Sequence, residues 1–247
     1  MRQAFSIYLA GAVFALALWS PRAGAADLDR AQVEALLSGS SKERPADLRR
    51  KDLQGLDLSG LDFRHADLWG ANLKGANMSR CNLAGLNLDL TVMTNINLSH
   101  ANMEKVSIFG VYMGKADLSH ADLRGSRVIA TLDSANLKGA RIAGANWGVD
   151  VKNQPMGQMR VSLKNSDLTG ADLSDADLNR AMMSFAKLAG ANLKNADLFR
   201  ADLSGADFTG ADLSGANLSG TQLRNVKGKD DIQGLKQSLN LEAAIFE

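Results

Sequence analysis

Serine, histidine and carboxylate side chains recur in this chain at twenty-residue intervals, and each series suggests a chemistry. Ser59, Ser79, Ser99 and Ser119 form one series, His100 and His120 a second, and Asp57, Asn77, Asn97 and Asp117 a third. A serine nucleophile needs a base and an oxyanion hole. A uniform ladder distinguishes no serine from its neighbours, so no catalytic residue is assigned. Two adjacent imidazoles could ligate zinc or copper. Arg80 precedes them in the same series and opposes a cation, and structural zinc usually recruits four protein ligands. Solvated histidines near Asn97, Asp117 and Asp122 are the expectation, with metal ligation as the alternative. Stacked carboxylates suggest calcium or paired acid–base catalysis. Yet Asp and Asn interchange in this slot, which a catalytic carboxylate does not tolerate, and both side chains favour turns by bonding nearby backbone. No catalytic, cofactor-binding or metal-binding residue is expected.

The element that positions these series is a five-residue repeat: small or apolar, Asp or Asn, Leu, any, any. It is cleanest in Ala201-Asp202-Leu203-Ser204-Gly205 and the two pentads that follow. On an α-helix this period spreads the leucines around the axis. On a flat strand it sends successive leucines to opposite faces. A chain that turns a corner after each pentad avoids both, and four pentads close a square coil of twenty residues. The Leu and the residue two before it point inward. Pentad centres run every five residues from Leu48 to Val128, slip by one residue near 129–131, and continue at Leu132, Leu137, Ile142 and Trp147. They resume from Leu163 to Leu223. Stacked at the strand spacing, such a solenoid is ~40 Å long.

The A(D/N)LxG run resembles the pentapeptide-repeat family. That resemblance implies an all-β solenoid, a right-handed quadrilateral β-helix. It covers residues 46–149 and 161–225, with a loop insertion at 150–160 around Asn153-Gln154-Pro155-Met156-Gly157. Residues 26–45 read as a capping helix and linker: Asp27 or Asp29 can cap it, and Leu28, Val33, Leu36 and Leu37 share a face. Residues 226–247 read as a C-terminal helical cap carrying Ile232, Leu235, Leu239, Leu241, Ile245 and Phe246. An open solenoid end needs such a cap; a homodimer contact, as the family's C-terminal regions sometimes provide, is its alternative use. Some family members protect a type II topoisomerase as strongly negative DNA mimics, a charge this chain lacks.

Residues 1–25 read as a signal peptide: Arg2, an apolar run from Ala4 to Trp19, and an A-x-A site ending at Ala25. The run is short for a membrane span, which needs ~20 residues. Cleavage after Ala25 predicts a periplasmic or otherwise exported protein without stable membrane insertion. The chain has 28 basic and 27 acidic residues, so neither a nucleic-acid binder's basic excess nor a strong acidic field is present. Cys81, the only cysteine, excludes an intrachain disulfide and falls in an inward small-residue slot.

One outward column departs from polarity. Trp69, Asp89, Phe109 and Ile129 share it, and Leu90, Val92 and Tyr112 are apolar at neighbouring outward slots. Trp69, Phe109, Tyr112 and Ile129 are therefore the candidate interaction face. Cover by the 148–160 loop or by the N-terminal helix is the competing explanation. The function expected is a non-enzymatic, exported scaffold or interaction module whose partner is another protein. The alternatives are a topoisomerase-protecting DNA mimic and an envelope enzyme, for which no motif is found.

Overall fold

The computed structural model describes residues 26–149 and 159–247; the expected signal peptide and residues 150–158 of the loop lie outside the described residues. The repeat forms a right-handed quadrilateral β-helix. Each side contributes one short parallel bridge to the next coil, as in the run Asp57, Asn77, Asn97, Asp117. Side one carries the inward residues Leu48, Leu68, Leu88 and Ile108; side two follows with Leu53, Leu73, Met93 and Met113. Backbone pairing alternates up and down the stack: Leu73 N–H donates to the Val92 carbonyl at 2.8 Å, and Asn72 N–H to the Lys51 carbonyl at 2.9 Å.

Each corner is a four-residue turn closed by a bond such as Ala71 N–H to the Leu68 carbonyl, 2.9 Å. Its third residue takes positive φ, which glycine adopts without strain. Arg80, His100, Arg180 and Phe185 adopt it as well, at φ 58, 58, 56 and 60°. A non-glycine there costs roughly 1–2 kcal/mol, while each fully buried leucine contributes about 1.5–3 kcal/mol. Burial wins, so the pentad tolerates ordinary residues at its corners. The Asp/Asn slot completes the turn: Asp57 Oδ1 accepts from Ser59 N–H at 3.1 Å, and Asn77 Oδ1 from Ser79 N–H at 3.2 Å. An Asn also donates to the Asp one coil earlier, as Asn77 Nδ2 does to Asp57 Oδ1 at 3.0 Å. Only the shared Oδ1 acceptor serves the turn, which explains why the two residues interchange.

Coil length changes in the middle, first by a deletion and then by the loop. Bridges step by twenty until Asn102–Asp122, then by nineteen from Asp117–Asn136 to Arg127–Asn146. The pentad centred on Val128 lacks its corner residue. The chain therefore runs straight as a strand, Arg127–Thr131, paired in parallel with Ser107–Tyr112. The other named strands are Ala46–Asp47 and Ala66–Asp67, also a parallel pair. In chain order these are β1 (Ala46–Asp47), β2 (Ala66–Asp67), β3 (Ser107–Tyr112) and β4 (Arg127–Thr131). The next coil, from Thr131 to its bridge partner Ser162, contains the loop.

The two ends are closed differently. At the start, α1 (Arg30–Ser38) is capped by Asp29, whose carboxylate accepts from Gln32 N–H while Gln32 bonds back to Asp29 N–H, both at 2.8 Å. Asp27 instead pairs with the first coil, donating its N–H to the Asp52 carbonyl and accepting from Asp52 N–H. Val33 is fully buried in the core, Leu28 and Leu37 pack against it, and Leu36 is exposed. Arg30 donates to the Asp57 and Ser59 carbonyls at 2.9 and 3.1 Å, covering acceptors that no preceding coil can reach.

At the far end the expected helical segment is not an α-helix. Lys227, Gln233, Leu239 and Ile245 bridge Asp207, Asp212, Asn217 and Gln222, so a last coil exists but its units are six residues long. Gly228, Gly234 and Asn240 sit at φ 67, 66 and 56° in the third place of each unit. Three 3-10 turns follow them, at Lys229–Asp231, Leu235–Gln237 and Leu241–Ala243. The longer corners bring Ile232, Leu235, Leu241 and Phe246 against the core end. A Cβ on Gly234 would lie 2.7 Å from the Ser214 backbone, so glycine is required there by space as well as by φ.

Candidate interaction face

The candidate face lies on side one and its corner with side two. Trp69 projects from side one, half-buried, with the Arg50 guanidinium 4.9 Å from its ring centroid. Phe109, two coils on, is half-buried with Arg127 5.9 Å from its ring. Tyr112 is 56% exposed, and a side chain at Gly114 would strike its ring, so glycine at that position makes room for the tyrosine. Leu90 and Val92, on the preceding coil, are exposed as well.

Ile129 is a correction. Its place in the column predicted an outward side chain, yet it is buried. The missing corner residue is the cause: β4 continues straight, and Val128, Ile129 and Ala130 are all buried in succession. The four candidates therefore do not form one surface. Phe109 and Tyr112 flank the break, Ile129 lies beneath it, and Trp69 belongs to a separate polar setting nearer the N-terminal end. Beside the break is a hollow of about 300 Å³ between Tyr112, Ile129, Thr131, Met159 and Met182. Met159 and Arg160, the described end of the loop, line this hollow, whereas α1 closes the end of the stack and does not cover the face. Sequence reasoning missed Met182, which stands in the Asp/Asn slot one coil beyond Ser162.

The other chemical candidates lie within the stacked coils. His100 and His120 stack with ring centroids 5.0 Å apart and planes 15° apart. Among the described residues no group of three or more metal-ligating side chains exists. Cys81 is buried, its Sγ donates to the Leu58 carbonyl at 3.0 Å, and burial pushes its thiol up to about 11. It stays protonated at neutral pH, which makes it a poor nucleophile. Asp122 is held below the usual carboxylate range by its hydrogen bond from Arg124, with burial opposing; Arg124 stands 2.6 Å away and Arg141 3.2 Å. That pairing keeps Asp122 ionised and makes it neither an acid nor a base near neutrality.

The repeat, its corner chemistry and the square coil are those of one family, and the comparisons agree. The pentapeptide repeats profile matches in eight copies, over residues 46–80, 57–95, 76–114, 87–125, 159–195 and 191–227. The chain belongs to the pentapeptide repeat family, whose members are generally structural or interaction modules. Among solved structures it is similar to trypsin-treated QnrB1, a plasmid-mediated fluoroquinolone resistance protein, at 21% identity and TM-score 0.60 over 74% of this chain and 90% of that one. It is also similar to HetL, a pentapeptide repeat protein involved in heterocyst differentiation regulation from the cyanobacterium Nostoc sp. strain PCC 7120. That match has 27% identity and TM-score 0.40, covering 88% of this chain and 94% of that one. No curated relative matches the chain.

Proposed function

We propose that the protein is an exported, non-catalytic scaffold that binds another protein along the corner between sides one and two. The observation that carries this reading is the exposed apolar strip Leu90, Val92 and Tyr112 beside the hollow at β3 and β4. Polar residues dominate the outward slots elsewhere, and a clustered apolar strip on a polar solenoid is the usual mark of a binding surface. Export is supported by the charged, apolar and A-x-A succession of residues 1–25. Determining the N-terminus of the secreted protein tests it: Ala26 is expected, and a chain beginning at Met1 refutes it.

The binding surface is tested by site-specific photocrosslinking in the native host. A crosslinker at position 112 captures one defined protein, and the same group at Thr209, at a distant corner, does not. Equal labelling from both positions, or none from 112, refutes the reading. The last coil leaves Leu239 56% and Ile245 38% exposed, which supports a second use as a homodimer contact. Light scattering of the purified protein decides this, with Leu239→Asp converting a dimer to a monomer.

A further inference from the structure

Trp69 stands apart from the apolar strip in its surroundings. A hollow of about 440 Å³ lies between Pro45, Arg49, Ala66, Asp67, Trp69 and Asn87. A second, of about 390 Å³, lies between Asp47, Arg49, Arg50 and Trp69. Both are lined by Arg49 and Trp69, so the indole and one guanidinium stand between two adjoining hollows of one cleft-like surface. Each volume falls within the ~300–1,000 Å³ typical of small-ligand sites. Trp147, the other described tryptophan, is buried with its Nε1–H bonded to Ser126 Oγ. Trp69 is therefore the one solvent-accessible indole among the described residues.

The polar groups of the cleft balance. Arg49 contacts Asp47 at 2.9 Å and Asp67 at 3.6 Å, and Arg50 stacks on the indole. Two guanidinium charges face two carboxylates, leaving no net charge to select an ion. A polyanion would meet Asp47 and Asp67; a polycation would meet Arg49 and Arg50. A purely apolar side chain would desolvate these groups without replacing their hydrogen bonds, at a cost of several kcal/mol. Asn87 uses its Oδ1 on Asp89 N–H and keeps its amide donors. What remains is an aromatic face edged by carboxylate acceptors and by guanidinium and amide donors. The ligand that satisfies all of these is uncharged, carries many hydroxyls and has an apolar C–H face.

We propose that the Trp69 cleft binds an uncharged saccharide, with a sugar ring against the indole and its hydroxyls bonded by Asp67, Arg49 and Asn87. This site adjoins the protein-binding strip, with Asn87 three residues before Leu90, but Trp69 and Tyr112 lie two coils apart and can be substituted separately.

The probes are chitotetraose, cellotetraose and maltotetraose, titrated into the purified protein while tryptophan emission and heat are followed. At least one of them is expected to give saturable binding with a change in emission. Trp69→Ala is expected to weaken it by about tenfold or more, and Trp69→Phe to restore part of the affinity measured by heat. Asn87→Asp keeps the Oδ1 acceptor but adds charge and removes the amide donors. It is expected to weaken binding to a similar degree, and it provides the test if Trp69→Ala fails to fold. Absence of binding by all three probes overturns the proposal. So does unchanged affinity in both folded variants, or binding of dextran sulfate in preference to every uncharged probe.

Discussion

From Asn165 to Asn225 every fifth residue has positive φ, and each bridge from Ser162–Met182 to Asp207–Lys227 steps by twenty. The stretch from Ala46 to Thr131 follows the same rule with two lapses: His65 is not left-handed, and the corner after Ile129 has lost its residue altogether. Of the three surface hollows discussed above, one reaches Ala66, next to the first lapse, and one reaches Ile129 and Ala130 at the second; the third lies at Arg49 and Arg50. The comparison separates two kinds of lapse. At His65 the corner survives without its left-handed residue, still closed by Ala66 N–H to the Phe63 carbonyl at 2.8 Å, and Ala66 and Leu68 stay buried. Where the residue is deleted, after Ile129, the chain straightens, Ile129 turns inward and a concavity opens. Apolar exposure does not follow the corner, since Leu90 and Phe185 keep positive φ and are 53% and 64% exposed.

The largest effect should separate the regular core from the broken one. Leu193→Ala, in a fully enclosed coil, is expected to cost about 2–5 kcal/mol by chemical denaturation. Ile129 borders the hollow, where neighbours are fewer and solvent already approaches, so Ile129→Ala should cost less, about 2 kcal/mol. An equal loss at both positions would mean that the break is packed as tightly as the regular stack.

Corner substitutions come next. Gly210 has open space where a Cβ would stand, so Gly210→Ala carries only the left-handed penalty, about 1 kcal/mol. Gly234→Ala adds a collision with the Ser214 backbone and is expected to cost more than about 2 kcal/mol. Hydrogen exchange should locate that loss in the last coil, at the Leu239 and Ile245 amides, which pair with Ala216 and Thr221.

A smaller effect separates the two ends. Arg30→Met leaves the Asp57 and Ser59 carbonyls without their guanidinium donors. A loss of about 1–2 kcal/mol is expected, confined to faster exchange in the first coil. If exchange also rises in the last coil, the solenoid unfolds as one unit.

Much of this was legible in the pentad. The inward Leu and Ala, the twenty-residue coil and the turn role of Asp and Asn all follow from a period of five and the chemistry of one Oδ1 acceptor. Ile129 was not, because a column assumes equal coils and a single deletion moves the residue from wall to core. The last coil was obscured for a similar reason: Gly228, Gly234 and Asn240 recur every six residues, a signal easily taken for helical spacing among Ile232, Leu235 and Leu239. Arg30 left no sequence signal, since a long polar side chain on a helix ordinarily faces water, and its partners are backbone atoms 27 and 29 residues away.

The smallest effect is acid sensitivity, and it should differ between two stretches of the ladder, residues 72–102 and 197–212. The turn slot holds Asn at 72, 77, 82, 97 and 102, but Asp at 197, 202, 207 and 212. Asp207 is held below the ordinary carboxylate range by its hydrogen bonds from Thr209, and Asp212 by its hydrogen bond from Ser214 and then by Lys194, with burial opposing in both. A depressed folded value means that these groups stabilise the fold at pH above the unfolded value near 4. That contribution is lost as pH falls through the folded value. The neutral asparagines accept the same turn bond and do not titrate. Hydrogen exchange followed from pH 7 downward, corrected for its intrinsic pH dependence, should therefore rise first at residues 197–212 and later at 72–102. Replacing Asp207 and Asp212 together by Asn preserves both turn acceptors and should flatten the acid response of residues 207–212 toward that of residues 72–102. If the double variant keeps the steep response, the ladder's charge is not its source.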